Sequence, residues 1–237
     1  MVDDFMKKRL IIIQLVFISF IAACSTQVKE PQPLVHSATL TPTVGPTETP
    51  APTPTITPTP TPEYTATPDW LPIFDQFIAD VKNGEADQVV GIWVDNVLAL
   101  RVVYQPATNP GYVSTEDEVA TYFLYPWNKA GNHGLLAHNY LAGRYFFNLS
   151  VGDVISLVWG DGNYEDFEIT RIKDFQALQP DNPYSNFVDL DTGEQLTVNN
   201  VFLEVYMGDY HTTLQTCIAQ GSETEWGRQF VLAPPLY

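Results

Sequence analysis

The sequence predicts an all-β domain behind one leading helix, carried on an extended stalk. Three observations predict it. A Thr/Pro tract separates the N-terminus from the rest of the chain, one amphipathic period follows, and the remainder is a series of short apolar runs bounded by turn residues. About eight to ten short strands with a single helix in front of them suggest a closed barrel or a sandwich.

Residues 1–23 read as an export signal. Lys7, Lys8 and Arg9 precede an apolar run, Leu10 to Ala23, that is too short to span a bilayer comfortably. The run ends in Ile21-Ala22-Ala23-Cys24, which resembles the lipobox of bacterial lipoproteins and implies cleavage before Cys24 and lipidation of its thiol. An uncleaved anchor and an ordinary signal peptide are the alternatives. Each of these readings exports the body of the protein, and the lipobox reading places it outside the cell, lipid-anchored to a bacterial membrane.

Residues 24–68 form the stalk. Of the 19 prolines in the chain, 11 fall between Pro31 and Pro68, interleaved with threonine. Each proline fixes φ and removes an amide donor, so the tract is expected to be extended and solvated rather than packed. Residues 69–237 then have the size of one domain with enough apolar residues for a core. The chain carries a formal net charge of −17; without residues 1–23 it has 8 Lys+Arg against 26 Asp+Glu, a charge of −18. Nucleic acid and anionic lipid surfaces are poor partners for such a chain.

Within the domain, Asp69 to Gln88 reads as one amphipathic helix. Trp70, Ile73, Phe74, Phe77, Ile78 and Val81 share a face, Asp69 caps the start, and Asn83-Gly84 ends it. After it, Gln88 to Gln105 reads as a hairpin around Asp95-Asn96. Val119 to Trp127, His133 to Tyr140 and Arg144 to Leu149 are short apolar runs. Asp153 to Trp159 and Tyr164 to Ile172 flank the turn Gly160-Asp161-Gly162. Leu196 to Met207, Thr212 to Ala219 and Arg228 to Ala233 complete the strands.

The chemistry-bearing residues come in a telling order. His138 ends an apolar run, Cys217 follows 79 residues later, and Arg228 follows 11 residues after that. With Cys24 lipidated, Cys217 is expected to be an unpaired thiol, either reactive or buried as a small hydrophobe. Thiol chemistry needs a thiolate, an imidazole takes and returns its proton, and a guanidinium holds substrate or oxyanion. With reference values of about 8.5 for Cys and about 6.5 for His, the neutral pair outnumbers the ion pair roughly a hundredfold. A nearby arginine shifts that ratio toward the thiolate.

At these residues the chain resembles the sortase family. Thr213-Leu214-Gln215-Thr216-Cys217 matches the signature Thr-Leu-x-Thr-Cys at every fixed position. Gly131 to Asn139 looks like the strand leading into the family's histidine, with Ala137 where a glycine is usual. Gly227 to Ala233 is similar to the arginine strand, and Leu149 to Leu157 to the Leu-x-x-Gly-Asp stretch. The resemblance spans roughly Gln88 to Ala233.

It implies a closed, sortase-like β-barrel of about eight strands with a leading helix and short helical turns, and a cysteine transpeptidase with no cofactor. Cys217 is then the nucleophile that forms a thioester, His138 the acid/base, and Arg228 the positive clamp. Thr216 is linked to substrate and oxyanion binding. The implied partners are surface proteins bearing a sorting-signal peptide and an amine acceptor, a cell-wall precursor or a protein lysine.

Other assignments fit less well. His36 lies in the stalk, and His133, at a strand start, reads as a surface group. His211 is six residues from Cys217, about 20 Å along a strand, too far for proton transfer. Arg101 and Arg171 lie outside the matching strand, and Arg144 is the runner-up clamp. No His/Cys pair has metal-ligand spacing. The acids of Asp161 to Glu168 read as a solvated hairpin. A papain-like order puts Cys before His, and the L,D-transpeptidase thiol motif is absent. Two rivals belong to other classes: a non-catalytic sortase-fold lipoprotein that binds surface proteins, and a stalked adhesive domain.

Overall fold

The computed structural model describes residues 72–182 and 184–237. The export signal, Cys24, the Thr/Pro tract, Asp69 and Trp70 lie outside these residues. The first helix, α1, spans Phe74–Val81 with Ile73 at its N-cap and no side-chain cap. Phe77 is buried and, with Phe74, Ile78 and Val81, packs on Val90, Trp93 and Val158. Ile73, expected on that face, is exposed.

The strands are β1 (Val89–Val94), β2 (Leu98–Tyr104), β3 (Val119–Tyr122), β4 (His133–Leu136), β5 (Val154–Trp159), β6 (Tyr164–Glu168), β7 (Arg171–Ala177), β8 (Phe187–Asp189), β9 (Gln195–Leu196), β10 (Thr212–Gln220) and β11 (Glu223–Ala233). Both expected hairpin turns form. Val97 N donates to Val94 O with Asn96 at φ 60°, and Gly162, at φ 93°, closes the β5–β6 turn.

A closed barrel does not form. The strands make one eleven-stranded sheet in the order β6-β5-β1-β2-β3-β4-β10-β11-β7-β8-β9, with β6 and β9 at its edges. The chain beyond β11 comes beside β6 through one isolated bridge, Phe167 to Pro235, flanked by Glu168 N to Pro234 O and Leu236 N to Asp166 O. Pro234 and Pro235 have no amide donors, so a ladder cannot continue along that edge.

Three apolar runs expected as strands are partly or wholly helical. Val119 to Trp127 divides into β3 and the helix α2 (Leu124–Ala130), which ends at left-handed Gly131. Arg144 to Leu149 lies mostly within a 3₁₀ helix, Ala142–Asn148. Leu196 to Met207 is chiefly the helix α3 (Val198–Tyr206), whose N-cap Thr197 accepts a hydrogen bond from Asn200 N. Its buried residues Val201, Phe202, Val205 and Tyr206 recur at the 3.6-residue helical period, which outweighs their β propensity.

The central strands have two apolar faces. On one, Leu214, Val231, Leu135 and Ala137 join the larger core. On the other, Phe230, Leu232, Leu136 and Phe175 pack with Val201, Phe202 and Val205 of α3. Tyr206 donates from its hydroxyl to Gln215 Oε1, and Thr213 Oγ1 to Val205 O, tying α3 to β10. By strand alternation Cys217 shares the α3 face with Thr213 and Gln215.

Candidate active site

β10 pairs with β4 in parallel and with β11 antiparallel. The parallel register runs from His133 opposite Thr212 to Leu136 opposite Gln215, a constant offset of 79 residues. The same number separates His138 from Cys217. The alignment is carried past the end of β4 by Ala137 N donating to Gln215 O at 3.1 Å and Thr216 Oγ1 donating to Ala137 O at 2.9 Å. Extending it one further step sets His138 level with Cys217. On the other flank, Cys217 is the direct register partner of Arg228. Adjacent strands lie about 4.8 Å apart, and laterally paired residues present side chains to the same face. By that extension His138, two residues beyond the end of β4, falls in one row with the register pair Cys217 and Arg228.

Cys217 is 2% exposed and is disulfide-bonded. The expectation of an unpaired thiol does not hold, so Cys217 is a nucleophile only after reduction.

Tyr140 stacks on the His138 ring with centroids 5.2 Å apart and planes 25° from parallel. Burial lowers the His138 pKa, and the main chain of Val113 partly opposes that. The loop carrying it is tied down by Asn139 Nδ2 donating to Thr224 O and by Gly143 N donating to His138 O. A methyl group at Gly143 would overlap Thr216 Oγ1 and both the Ala137 and His138 carbonyl oxygens. Only glycine lets the 3₁₀ segment close so tightly on this loop.

Arg228 is 1% exposed. Its Nη1 donates to Glu225 O and Gly227 O, while among the described residues Nε and Nη2 have no hydrogen-bond partner. Nη2 lies 3.9 Å from Glu225 Oε2. Burial lowers the Arg228 pKa to about 10, partly offset by Glu225 and Glu223, and the side chain stays charged at neutral pH. Burial raises Glu225 to about 7 against the pull of Arg228, with Asp181 and Glu223 adding to the rise. A buried guanidinium with two open donors is costly to maintain, of the order of 1–3 kcal/mol per unmet group. It is a feature to expect where a ligand oxygen completes the set.

Thr216 is 2% exposed and its hydroxyl is committed to Ala137 O. The competing residues lie elsewhere. Arg144 makes a two-pronged ion pair with Asp117 at 2.6 and 3.0 Å. Arg101 pairs with Glu116, and Arg171 with Glu204. His211 contacts the carbonyls of Asp209 and Val205.

His133 is a correction, because it is fully buried rather than at the surface. Tyr210 donates to Glu165, so His133 Nε2–H donates to Tyr210 and Nδ1 accepts from Tyr122. That directed chain suits a neutral ring, and burial lowers its pKa to about 4, His211 adding to the effect. Val113, Tyr140, Gly143 and Glu225 were not found from sequence. Among the described residues no group of His, Cys, Asp and Glu could hold a metal ion.

No protein-family model matches the chain, and no curated protein does. Solved structures do. The chain is similar to sortase A of Listeria monocytogenes at 17% identity, covering 64% of this chain and 89% of that one, with a TM-score of 0.38. It is similar to sortase C of Clostridium perfringens, solved with the C-terminal cell wall sorting motif, at 16% identity, 68% and 82% coverage and a TM-score of 0.40. Sortase C-1 of Actinomyces oris gives 15% identity, 68% and 81% coverage and a TM-score of 0.40.

Proposed function

We propose that the chain is a sortase-like cysteine transpeptidase acting through the reduced form of Cys217. The observation that carries this is the register pair Cys217 and Arg228, with two open donors on the buried guanidinium and the His138 loop continuing from β4 on the other flank of β10. The thiolate of Cys217 attacks the scissile carbonyl of a sorting-signal peptide. Arg228 Nε and Nη2 face the oxygen that becomes negative. His138, having taken the thiol proton, gives it to the leaving amine, and the thioester remains on Cys217. An amine acceptor then attacks the thioester, passes its proton to His138 and restores the thiol. The Tyr140 ring stacked on His138 restrains the imidazole between the two transfers. Thr216 positions the His138 loop through Ala137. The proposed setting is the exterior face of a bacterial membrane, reached through a lipidated Cys24 and the stalk.

One observation favours a second reading. A disulfide-bonded Cys217 cannot turn over, which suits a sortase-fold lipoprotein that binds peptides without cleaving them. Peptide-library cleavage by the full chain, with and without reductant, separates the two. The transpeptidase reading expects cleavage that appears with reductant and is lost in Cys217→Ala, which stays folded. Equal turnover by wild type and Cys217→Ala, or none after full reduction, overturns it. The mass of the mature N-terminus decides the anchor, and an unmodified Cys24 overturns lipidation.

A further inference from the structure

Glu225 engages Arg228 twice: its carbonyl accepts from Nη1 at 2.8 Å and its carboxylate lies 3.9 Å from Nη2. The carboxylate is itself largely enclosed, with 13% side-chain exposure against 1% for Arg228. Nη2 and Nε are the two donors left open. Arg228 is also the register partner of Cys217, so whatever changes the charge on one side of the guanidinium is felt by the sulfur on the other.

We propose that Glu225 is a positioning residue that sets how much of the Arg228 charge reaches Cys217 and the substrate carbonyl. As a carboxylate it draws Nη2 toward itself and competes with a substrate oxygen for the open donors. As a neutral acid it releases them. This deepens the transpeptidase reading and rests on it for the substrate half of the claim; the effect on the thiol stands alone.

The groups that bear on Glu225 are Arg228 and Glu223 from β11 and Asp181 from the loop between β7 and β8. Cys217 and His138 complete the titratable groups of the row. The acids reinforce burial in holding the proton, and Arg228 alone opposes them, so the exchange falls at neutral pH, near 7. A surface glutamate of ordinary acidity would stay ionised throughout that range.

The test reads the alkylation rate of Cys217 against pH in the reduced full chain. Peptide mass spectrometry assigns the product to Cys217 so that any reaction at Cys24 is not counted. Wild type and Glu225→Gln should react alike near pH 6. They should diverge as pH rises through 7, the variant becoming up to about tenfold faster, one pKa unit in the thiol. Glu225→Ala, read the same way, keeps the proposal testable should Glu225→Gln fail to fold.

Identical profiles for wild type and variants overturn the proposal. The two claims also fail separately. Divergent alkylation without peptide cleavage upholds the Glu225–Arg228 coupling and removes the transpeptidase. Cleavage with a wild-type pH profile in Glu225→Gln does the reverse.

Discussion

Two histidines show how the same residue type serves chemistry in one place and packing in another. His138 is half-buried at the level of Cys217 with Tyr140 stacked on it. His211 spends both ring nitrogens on the carbonyls of Asp209 and Val205, at the junction of α3 and β10. The two should therefore fail differently. His138→Ala should cut peptide turnover by about 10²–10⁴-fold, the usual worth of a general acid–base. It should also slow Cys217 alkylation while the unfolding midpoint changes little. His211→Ala should lose about 1 kcal/mol of stability, the usual net worth of a hydrogen bond, with alkylation of the folded protein unchanged. Urea melts beside alkylation rates check both, and the opposite pattern would move the base to His211.

The strand elements that carry the row were readable because their sequences are locally decisive. Thr212 to Ala219 and Arg228 to Ala233 are β-rich, and the 79-residue interval between His138 and Cys217 turned out to be the parallel register itself. Leu196 to Met207 reads as a strand because Val, Phe and Tyr have β propensity. Its apolar residues nevertheless recur at the helical period behind a capping Thr197.

What sequence could not supply is proximity between distant segments. Nothing local announces that Val113 reaches His138, that Glu225 bends toward Arg228, or that the proline pair at residues 234–235 stops the sheet from closing. Gly143 is the sharpest case, an unremarked glycine whose missing side chain admits Thr216 Oγ1 and two carbonyls. Gly143→Ala should push the His138 loop away from β10. A misplacement of about 1 Å costs about 10²-fold in turnover, and overpacking costs about 1–3 kcal/mol. The signature that separates this from general destabilisation is the His138 ring, whose NMR titration should move back toward that of a solvated imidazole. An unchanged His138 titration in a folded Gly143→Ala protein would remove the positioning role.

At the scale of the described molecule, His133 and Glu225 bias stability with pH in opposite directions. His133 is held near 4 against an ordinary value of about 6.5. Between those values the unfolded chain binds the proton and the folded one does not, so this contribution is present above pH 6.5 and is lost as pH falls toward 4. Glu225 is raised to about 7, so from ordinary carboxylate acidity up to 7 the folded chain holds the extra proton. Its contribution is present at low pH and is lost as pH rises through 7. Each shift corresponds to about 3 kcal/mol at full extent, and over pH 5–6.5 the two slopes largely cancel. Removing either group should expose the other. In Glu225→Gln, stability should fall more steeply than in wild type as pH drops from 7 to 5. In His133→Gln, the loss on acidification should be smaller than in wild type, even though breaking the Tyr122–His133–Tyr210 chain lowers stability at pH 7. Denaturant melts at half-unit pH steps measure both slopes, and parallel curves for all three proteins would show that neither group is coupled to folding.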